Sequence, residues 1–391
     1  MAKLLLLCDY YLYSNNGKYY FKDKNASKFY DRYLRVFDEI RIVNRVIEEI
    51  DLNENCYPIN DPRIEIYPLP IFHGPIEYLK KYNKVGSVLS KATEGCDAAI
   101  LRLPCTAAQR IGRSIIKKKI PYAVEIVFDA YDGAKTGKNI VERILWFLID
   151  RKMRKISRSA DGVSCVTQFY LQQRYFSLKL DHFESYYSSA GLPLAFYTSE
   201  RQYPKGKTIN IAHVDLQIGL HSRKGTDEVL KAAAILKKQG VIVNIGFAGD
   251  DWGDNKKKII QYATKLGVDS QVFFPGFLSM DQMSDFLDNS DVFVFPTKAE
   301  GLPRCVIEAM AKGLPVVSTP VSGIPELLDM QYLVDYADVA ALAEKIKQII
   351  TNKEVYEAAS RSNFCKALEY EASVLQLRRD EFYKNLRSLV K

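Results

Sequence analysis

No stretch of this chain is apolar for long enough to cross a membrane. The N-terminal run Leu4 to Cys8, in MAKLLLLCDYYLY, is broken at once by Asp9, whereas a spanning helix needs roughly 20 apolar residues. It reads as a first buried strand. The seven cysteines, at positions 8, 56, 96, 105, 165, 305 and 365, are odd in number and form no C-x-x-C pair. A disulfide scaffold and the common zinc patterns are thereby excluded, and reduced thiols in a cytoplasmic protein are expected. Only four histidines occur (His73, His182, His213 and His221). No His-Ser-Asp or His-Cys arrangement suggests a nucleophile, so they read as structural or solvated. There is no Asp-x-Asp and no short internal repeat. The net charge of +8 and pI near 8.9 fall short of a nucleic-acid binder. They suit an anionic ligand or an anionic membrane surface.

What is present is an ordinary globular composition, 47% hydrophobic and 26% charged over 391 residues. That length exceeds one hydrophobic core and fits two domains. Strand-like runs (Leu4 to Cys8, Ile40 to Val46, Ala98 to Leu103, Tyr122 to Phe128, Gly162 to Val166) alternate with helical patterns. The latter cover Ser27 to Phe37, Thr106 to Lys118, Val141 to Ser157 and a helix capped by Thr167 through Tyr175. Ser14 to Lys18 reads as a loop. Between about Leu178 and Lys205 the periodicity fails, and Leu192-Pro193 and Tyr203-Pro204-Lys205-Gly206 have linker chemistry. Alternation then restarts, with strands at Thr208 to Ala212, Val241 to Ala248 and Val272 to Phe274. Helices are expected over Thr226 to Lys238, Lys256 to Leu266, Asp281 to Leu287, Asp338 to Thr351, Val355 to Ala367 and Glu371 to Val390. Two doubly wound α/β halves in tandem follow, with a cleft expected between them. The expected domains are 1–200, 201–370 and a C-terminal helix 371–391 packing back on the first.

The most informative segment is FPTKAEGLPRCVIEAMAKGLPVVSTPVSGIPELL, Phe295 to Leu328. A strand (Asp291 to Phe295) leads into it, a helix opens after Gly301-Leu302-Pro303, and a second strand (Leu314 to Ser318) leaves it. The amides that begin such a helix have no intrahelical acceptor and face any anion. Gly301 permits a left-handed φ or close approach of a ligand, and Pro303 suits the first helical position. Glu300 and Glu308 flank this turn. Glu308 has two readings. Arg304 and Lys312 lie four residues either side, which is surface ion-pair spacing. Its apolar neighbours Val306, Ile307, Ala309, Met310 and Ala311 instead describe a buried helix, whose carboxylate needs donors such as ribose hydroxyls.

From Glu300 through Glu308-Ala309-Met310-Ala311-Lys312-Gly313-Leu314-Pro315-Val316-Val317 to Gly323-Ile324-Pro325-Glu326-Leu327, the chain resembles the signature of retaining glycosyltransferases of family 4, which have the GT-B fold. Tyr122-Ala123-Val124-Glu125 and Val166-Thr167 with Tyr170 to Tyr175 resemble the N-terminal halves of the family's bacterial surface-polysaccharide members. The resemblance implies two Rossmann-like domains, metal-independent hexosyl transfer from a nucleotide-diphosphate sugar (UDP- or GDP-linked) and a saccharide or lipid-linked acceptor, with no further cofactor. It assigns donor-sugar hydroxyls to Glu300, ribose to Glu308, and sugar or phosphate contacts to Gly301, Leu302, Pro303 and Arg304. Arg223 and Lys224, before Gly225, would face the pyrophosphate, and Gly249 and Gly276 would line the nucleotide. Two departures stand out. The family's arginine five positions before the lysine is replaced by Gly219, and Leu302-Pro303 replaces a Phe-Gly pair, removing one amide donor. The missing Asp-x-Asp agrees with donor phosphates held by protein cations rather than a metal.

Other features have plainer alternatives. Glu125 or Asp129 could take the place of a family histidine near the acceptor, or serve as an edge charge and a helix cap. Gly133 to Asn139 mimics a phosphate-binding loop but is one residue short and lacks the hydroxyl after its lysine, so a flexible loop is expected. Arg151 to Lys155, with Lys117 to Lys119 and apolar Ile144 to Ile149, is either a peripheral membrane patch on the cytoplasmic face or a solvated helix end. A nucleotide-sugar epimerase, a phosphorylase or a non-catalytic transferase-like binding protein remain the alternatives to a transferase.

Overall fold

The computed structural model describes residues 1–22, 26–48, 56–72, 77–78, 80–137, 139–204 and 208–390. The chain divides into two compact units, Met1–Tyr187 with Gln376–Lys391, and Ser188–Leu375. The linker residues Lys205 and Gly206, together with Lys138 and His73, lie outside the described residues.

The first unit is built on strands β1 (Lys3–Asn15), β2 (Lys18–Phe21), β3 (Glu39–Ile47), β4 (Tyr57–Pro58), β5 (Ile64–Leu69), β6 (Ala98–Leu103), β7 (Tyr122–Ile126), β8 (Gly162–Cys165) and β9 (Phe183–Tyr186). Seven of them run parallel in the order β5-β3-β1-β6-β7-β8-β9. Leu4 to Leu7 are completely buried, as a strand covered on both faces requires. Beyond Tyr10, β1 alternates instead, with Leu12 and Ser14 buried between half-exposed neighbours. That change of period is why the apolar run ends at Cys8 while the strand continues to Asn15. The expected loop at Ser14 to Lys18 is a tight hairpin. Asn16 and Gly17 both have positive φ, 49° and 74°, and β2 returns antiparallel to β1, the signature of an Asn-Gly turn.

Three further expectations in this unit are corrected. Thr167 to Tyr175 is a run of turns, not a helix. The Thr167 hydroxyl accepts the Leu171 amide at 2.9 Å and bonds Gln172 Oε1 at 3.0 Å, so a side chain replaces helical backbone bonding. The stretch from Gly133 is not a flexible loop: Ala130–Thr136 is helical, capped by the Asp129 carboxylate on the Tyr131 amide at 2.9 Å. Gly133 is a glycine because a Cβ there would lie 2.7 Å from the Trp146 ring, a demand of packing rather than of phosphate. Finally, β9 lies inside the stretch where periodicity fails, paired in register to β8.

Glu125, on β7, anchors the unit. It is almost fully buried. It accepts hydrogen bonds from Tyr33 at 3.0 Å, Tyr187 at 2.9 Å and Tyr383 at 2.6 Å, and from Arg102 at 2.9 Å. Arg32 lies 3.8 Å away. Tyr383 comes from the C-terminal helix Ala372–Ser388, whose ring stacks on Tyr33 at 4.9 Å. Phe382 meets Phe183 edge-on, and Arg387 pairs with Asp38 at 2.9 Å. Burial alone would push the Glu125 carboxyl up. Arg32 and Arg102, with the Tyr383 and Tyr187 hydroxyls, outweigh it and hold it down at about 2.

The second unit is simpler: β10 (Ile209–Gln217), β11 (Val243–Asp250), β12 (Val272–Gly276), β13 (Val292–Phe295) and β14 (Val316–Ser318), all parallel in the order β12-β11-β10-β13-β14. Its core is the buried strand residues Ile211, Ile245, Phe247, Val292, Val294 and Val317. The strand order reverses between β10 and β13. In doubly wound sheets this reversal opens a crevice at the carboxyl ends of the two strands, where ligands bind.

Replacing Glu125 by Gln leaves two buried guanidiniums without a counter-charge. The expected loss is about 3–5 kcal/mol of stability, read as a lower urea midpoint. A depressed carboxyl stabilises above its unfolded pKa, so this contribution is present at neutral pH and is lost as pH falls toward about 2. The variant should show a flatter acid limb than the parent. An unchanged midpoint would contradict the anchoring role.

Candidate functional site

Two loops leave the strand ends on either side of the reversal. One follows β10 to the helix Thr226–Lys238. The other follows β13 to the helix Arg304–Ala311. They meet at Gly225, whose φ is +85° and whose added Cβ would fall 2.2 Å from the Pro296 carbonyl oxygen. Only glycine fits there. The approach is fixed by the Lys298 amide donating to the Arg223 carbonyl at 2.8 Å and by the Thr297 hydroxyl donating to the same oxygen at 3.0 Å.

This contact brings Lys224 against Glu300. The ammonium donates to Glu300 Oε1 and sits 5.3 Å over the Phe295 ring. Thr297 Oγ1 lies 3.2 Å from the same carboxylate oxygen. The pair is largely buried, with side-chain exposures of 29% for Lys224 and 11% for Glu300. Glu300 Oε2 has no hydrogen-bond partner among the described residues. Burial would lower the Lys224 pKa, but the Glu300 charge prevails and raises it, so the ammonium is charged at any physiological pH. An ammonium has three donors, and Glu300 occupies one.

Beside this pair the helix Arg304–Ala311 begins. Pro303 takes the N-cap position rather than the first helical one, and no side chain caps the helix. The amides of Arg304, Cys305 and Val306 therefore have no intrahelical acceptor, and the helix dipole adds partial positive charge at the same place. Gly301 is not among the left-handed glycines. Its carbonyl accepts the Gly323 amide at 3.0 Å, which ties the Gly323-Ile324-Pro325 turn to the loop. Leu302 and Pro303 are buried. The Cys305 thiol lies just behind, and burial pushes it well above its ordinary pKa.

Glu308 is one turn further into the helix. Of its two considered ion pairs, Arg304 approaches to 3.8 Å, whereas Lys312 turns away to Asp288 at 2.9 Å. Burial raises the Glu308 pKa, and Arg304 opposes this. Gly249, one residue before the end of β11, and Gly276, the last residue of β12, lie at the carboxyl edge of the sheet. Gly249 has a packing reason, since a Cβ would fall 1.7 Å from the Asp215 carbonyl oxygen; Gly276, at φ +83°, faces open space.

One residue here escaped sequence reasoning, while His213 is one of the four histidines read as structural or solvated. Thr297, fully buried, joins both loops to Glu300; a hydroxyl directly after a strand and a proline was its only signal. His213 is buried on β10, with Nδ1 2.9 Å from the Val294 carbonyl and Nε2 without a partner. Burial lowers its pKa, so it stays neutral.

Residues 219–364 match the family described as Glycosyl transferases group 1. That segment holds both loops and both helices of the site. Protein CapJ of Staphylococcus aureus is 23% identical over 93% of this chain and 91% of its own. The amylovoran biosynthesis glycosyltransferase AmsK of Erwinia amylovora is 33% identical over 32% of each chain. Among solved structures, Anabaena HepE in complex with UDP and glucose superposes with a TM-score of 0.67 at 17% identity, covering all of both chains. The fold is GT-B, with two Rossmann-like domains.

Gly225→Ala should separate the loops. Forcing a side chain into this conformation costs about 1–3 kcal/mol before the clash with Pro296 is counted. A lower thermal midpoint is expected, which a Gly240→Ala control should not match, because a Cβ at Gly240, also left-handed, meets nothing within 4 Å.

Proposed function

We propose that this protein is a retaining, metal-independent hexosyltransferase that moves a sugar from a nucleoside-diphosphate donor to a saccharide or lipid-linked acceptor in polysaccharide biosynthesis. The observation that carries this reading is the Lys224–Glu300 pair, set beside the uncapped start of the helix Arg304–Ala311. One half of the site presents fixed positive charge, and the other presents a carboxylate oxygen with no partner. A sugar diphosphate needs both.

In this reading the free amides after Pro303 and the remaining Lys224 donors hold the diphosphate, with Arg223 contributing charge. Glu300 Oε2 accepts a donor-sugar hydroxyl, Glu308 accepts the ribose hydroxyls, and the strand ends at Gly249 and Gly276 border the nucleoside. As the anomeric carbon–oxygen bond to phosphate breaks, charge accumulates on the departing diphosphate, where the fixed donors are worth most. The acceptor oxygen bonds to the same face of the anomeric carbon, and its proton passes to the leaving phosphate oxygen. The protein thus acts by positioning and by charge stabilisation, and no side-chain nucleophile is required. The HepE complex with UDP and glucose makes uridine nucleotides the first to test.

A cytoplasmic protein docked peripherally on the membrane fits a lipid-linked acceptor. No helix among the described residues is long and apolar enough to cross a bilayer. The helix Ile140–Ser157, however, exposes Ile140, Val141, Ile144, Phe147 and Leu148 along its first turns, and Arg151, Lys152 and Lys155 continue that stripe. An apolar row followed by cations is how a helix lies in an anionic interface.

Glu300→Gln should cut turnover by about a hundredfold, the scale of one lost transition-state contact, while nucleotide affinity holds. Glu308→Ala should weaken UDP or GDP binding. A thermal-shift panel of nucleoside diphosphates and their sugars separates the two effects, and no stabilisation by any nucleotide would overturn the reading. In flotation assays, Phe147→Glu should release the protein from vesicles containing anionic lipid. Equal recovery with neutral and anionic vesicles would remove the docking surface.

A further inference from the structure

The first unit contains a cavity of about 330 Å³ lined by Asp129, Tyr131, Arg154, Arg158, Tyr170 and Arg174, among others. It plays no part in the donor site. Asp129 follows β7, and Tyr170 and Arg174 follow β8, so part of its wall comes from the carboxyl end of a parallel sheet, the ligand-binding edge of this architecture.

Charge bookkeeping around this cavity does not close. Asp150 is fully buried and serves two guanidiniums at once. Arg174 binds it in bidentate fashion, at 2.6 Å through both Nε and Nη2, and Arg154 binds through Nε at 3.1 Å. One carboxylate cannot neutralise two guanidiniums. Asp129, which accepts the Tyr131 amide at 2.9 Å and lies 3.1 Å from the Tyr175 hydroxyl, lines the same cavity and its charge offsets one of these guanidiniums. Nearby Asp132 has its own cation, Lys135, at 3.5 Å. Arg158 adds a third guanidinium, exposed, with no side-chain partner among the described residues. Tyr170 and Phe176 give the cavity an aromatic wall, while the Tyr131 ring is taken up by the Arg174 guanidinium at 3.9 Å and the Lys135 ammonium at 4.3 Å.

We infer that this cavity binds the phosphate group of a phosphorylated sugar, with Arg158 and the free nitrogens of Arg154 holding the phosphate oxygens and the aromatic wall receiving the sugar. Guanidiniums match phosphate oxygens in pairs. The volume exceeds that of a bare anion, so a pendant sugar has room. Calling this ligand the acceptor rests on the transferase reading above; the phosphate site itself does not.

The test is calorimetric titration of the full chain at low salt, with glucose 6-phosphate as the soluble probe. Vesicles of phosphatidylcholine doped with a polyprenyl glucosyl phosphate are the lipid-borne probe. Saturable binding is expected for at least one of them. Arg158→Gln should weaken it about tenfold, the scale of one lost charge-assisted contact, and Glu300→Gln should leave it unchanged. Arg158 is exposed, so the variant should keep the parental thermal midpoint. Dependence on Arg158 with the soluble probe identifies a free phosphosugar, and with vesicles alone a lipid-borne phosphate. No binding, or binding indifferent to Arg158→Gln, overturns the site. Arg158-dependent binding in a protein that no nucleotide stabilises would sink the transferase reading and keep the phosphate site.

Discussion

The candidate site hangs on the contact between Gly225 and the Pro296 carbonyl. Parallel strands can send their connections to opposite faces of a sheet, and at β10 and β13 they do. The two loops would then diverge, and nothing in the strands themselves would make Lys224 meet Glu300. Removing one Cβ lets the first loop lie against the second. Thr297 and the Lys298 amide then hold it there by the Arg223 carbonyl. Charge, hydrogen bonding and the open helix end become neighbours because one residue has no side chain.

The two units solve the problem of buried charge differently. In the first, Glu125 is surrounded by three tyrosine hydroxyls and two arginines until no lone pair is left over. Such a cluster is rigid and specifies one arrangement. In the second, Glu300 is satisfied on one oxygen only. An incompletely satisfied buried carboxylate is costly, and Glu300 keeps an acceptor position that nothing among the described residues fills.

Much of this was legible in the sequence. The helix Thr226–Lys238 and strand Ala98 to Leu103 stand where their periodicity put them, and the strand–turn–helix around Glu300 followed from Gly301-Leu302-Pro303. Periodicity failed where side chains overrode backbone preference. Thr167 turned a capped helix into a set of turns, and Asp129 made a helix of a glycine-bearing stretch that mimicked a phosphate loop. The partner of Lys312 was equally hidden. Helical spacing offered Glu308, but Asp288 arrives from a different helix, and no local rule sees tertiary neighbours. Thr297 and the arginine surplus around Asp150 belong to the same class, since their meaning lies in residues distant along the chain.

The buried cluster at Glu125 also has a temporal consequence. Tyr187 closes it from the middle of the chain and Tyr383 from near the end, with the whole second unit encoded between them. During synthesis the ribosome must deliver that unit before the first can finish its core. Domains ordinarily fold in the order they emerge; here the earlier one waits, with a carboxylate and two guanidiniums short of their last hydroxyl. A nascent chain halted before Tyr383 would carry a complete second unit and an unfinished first one.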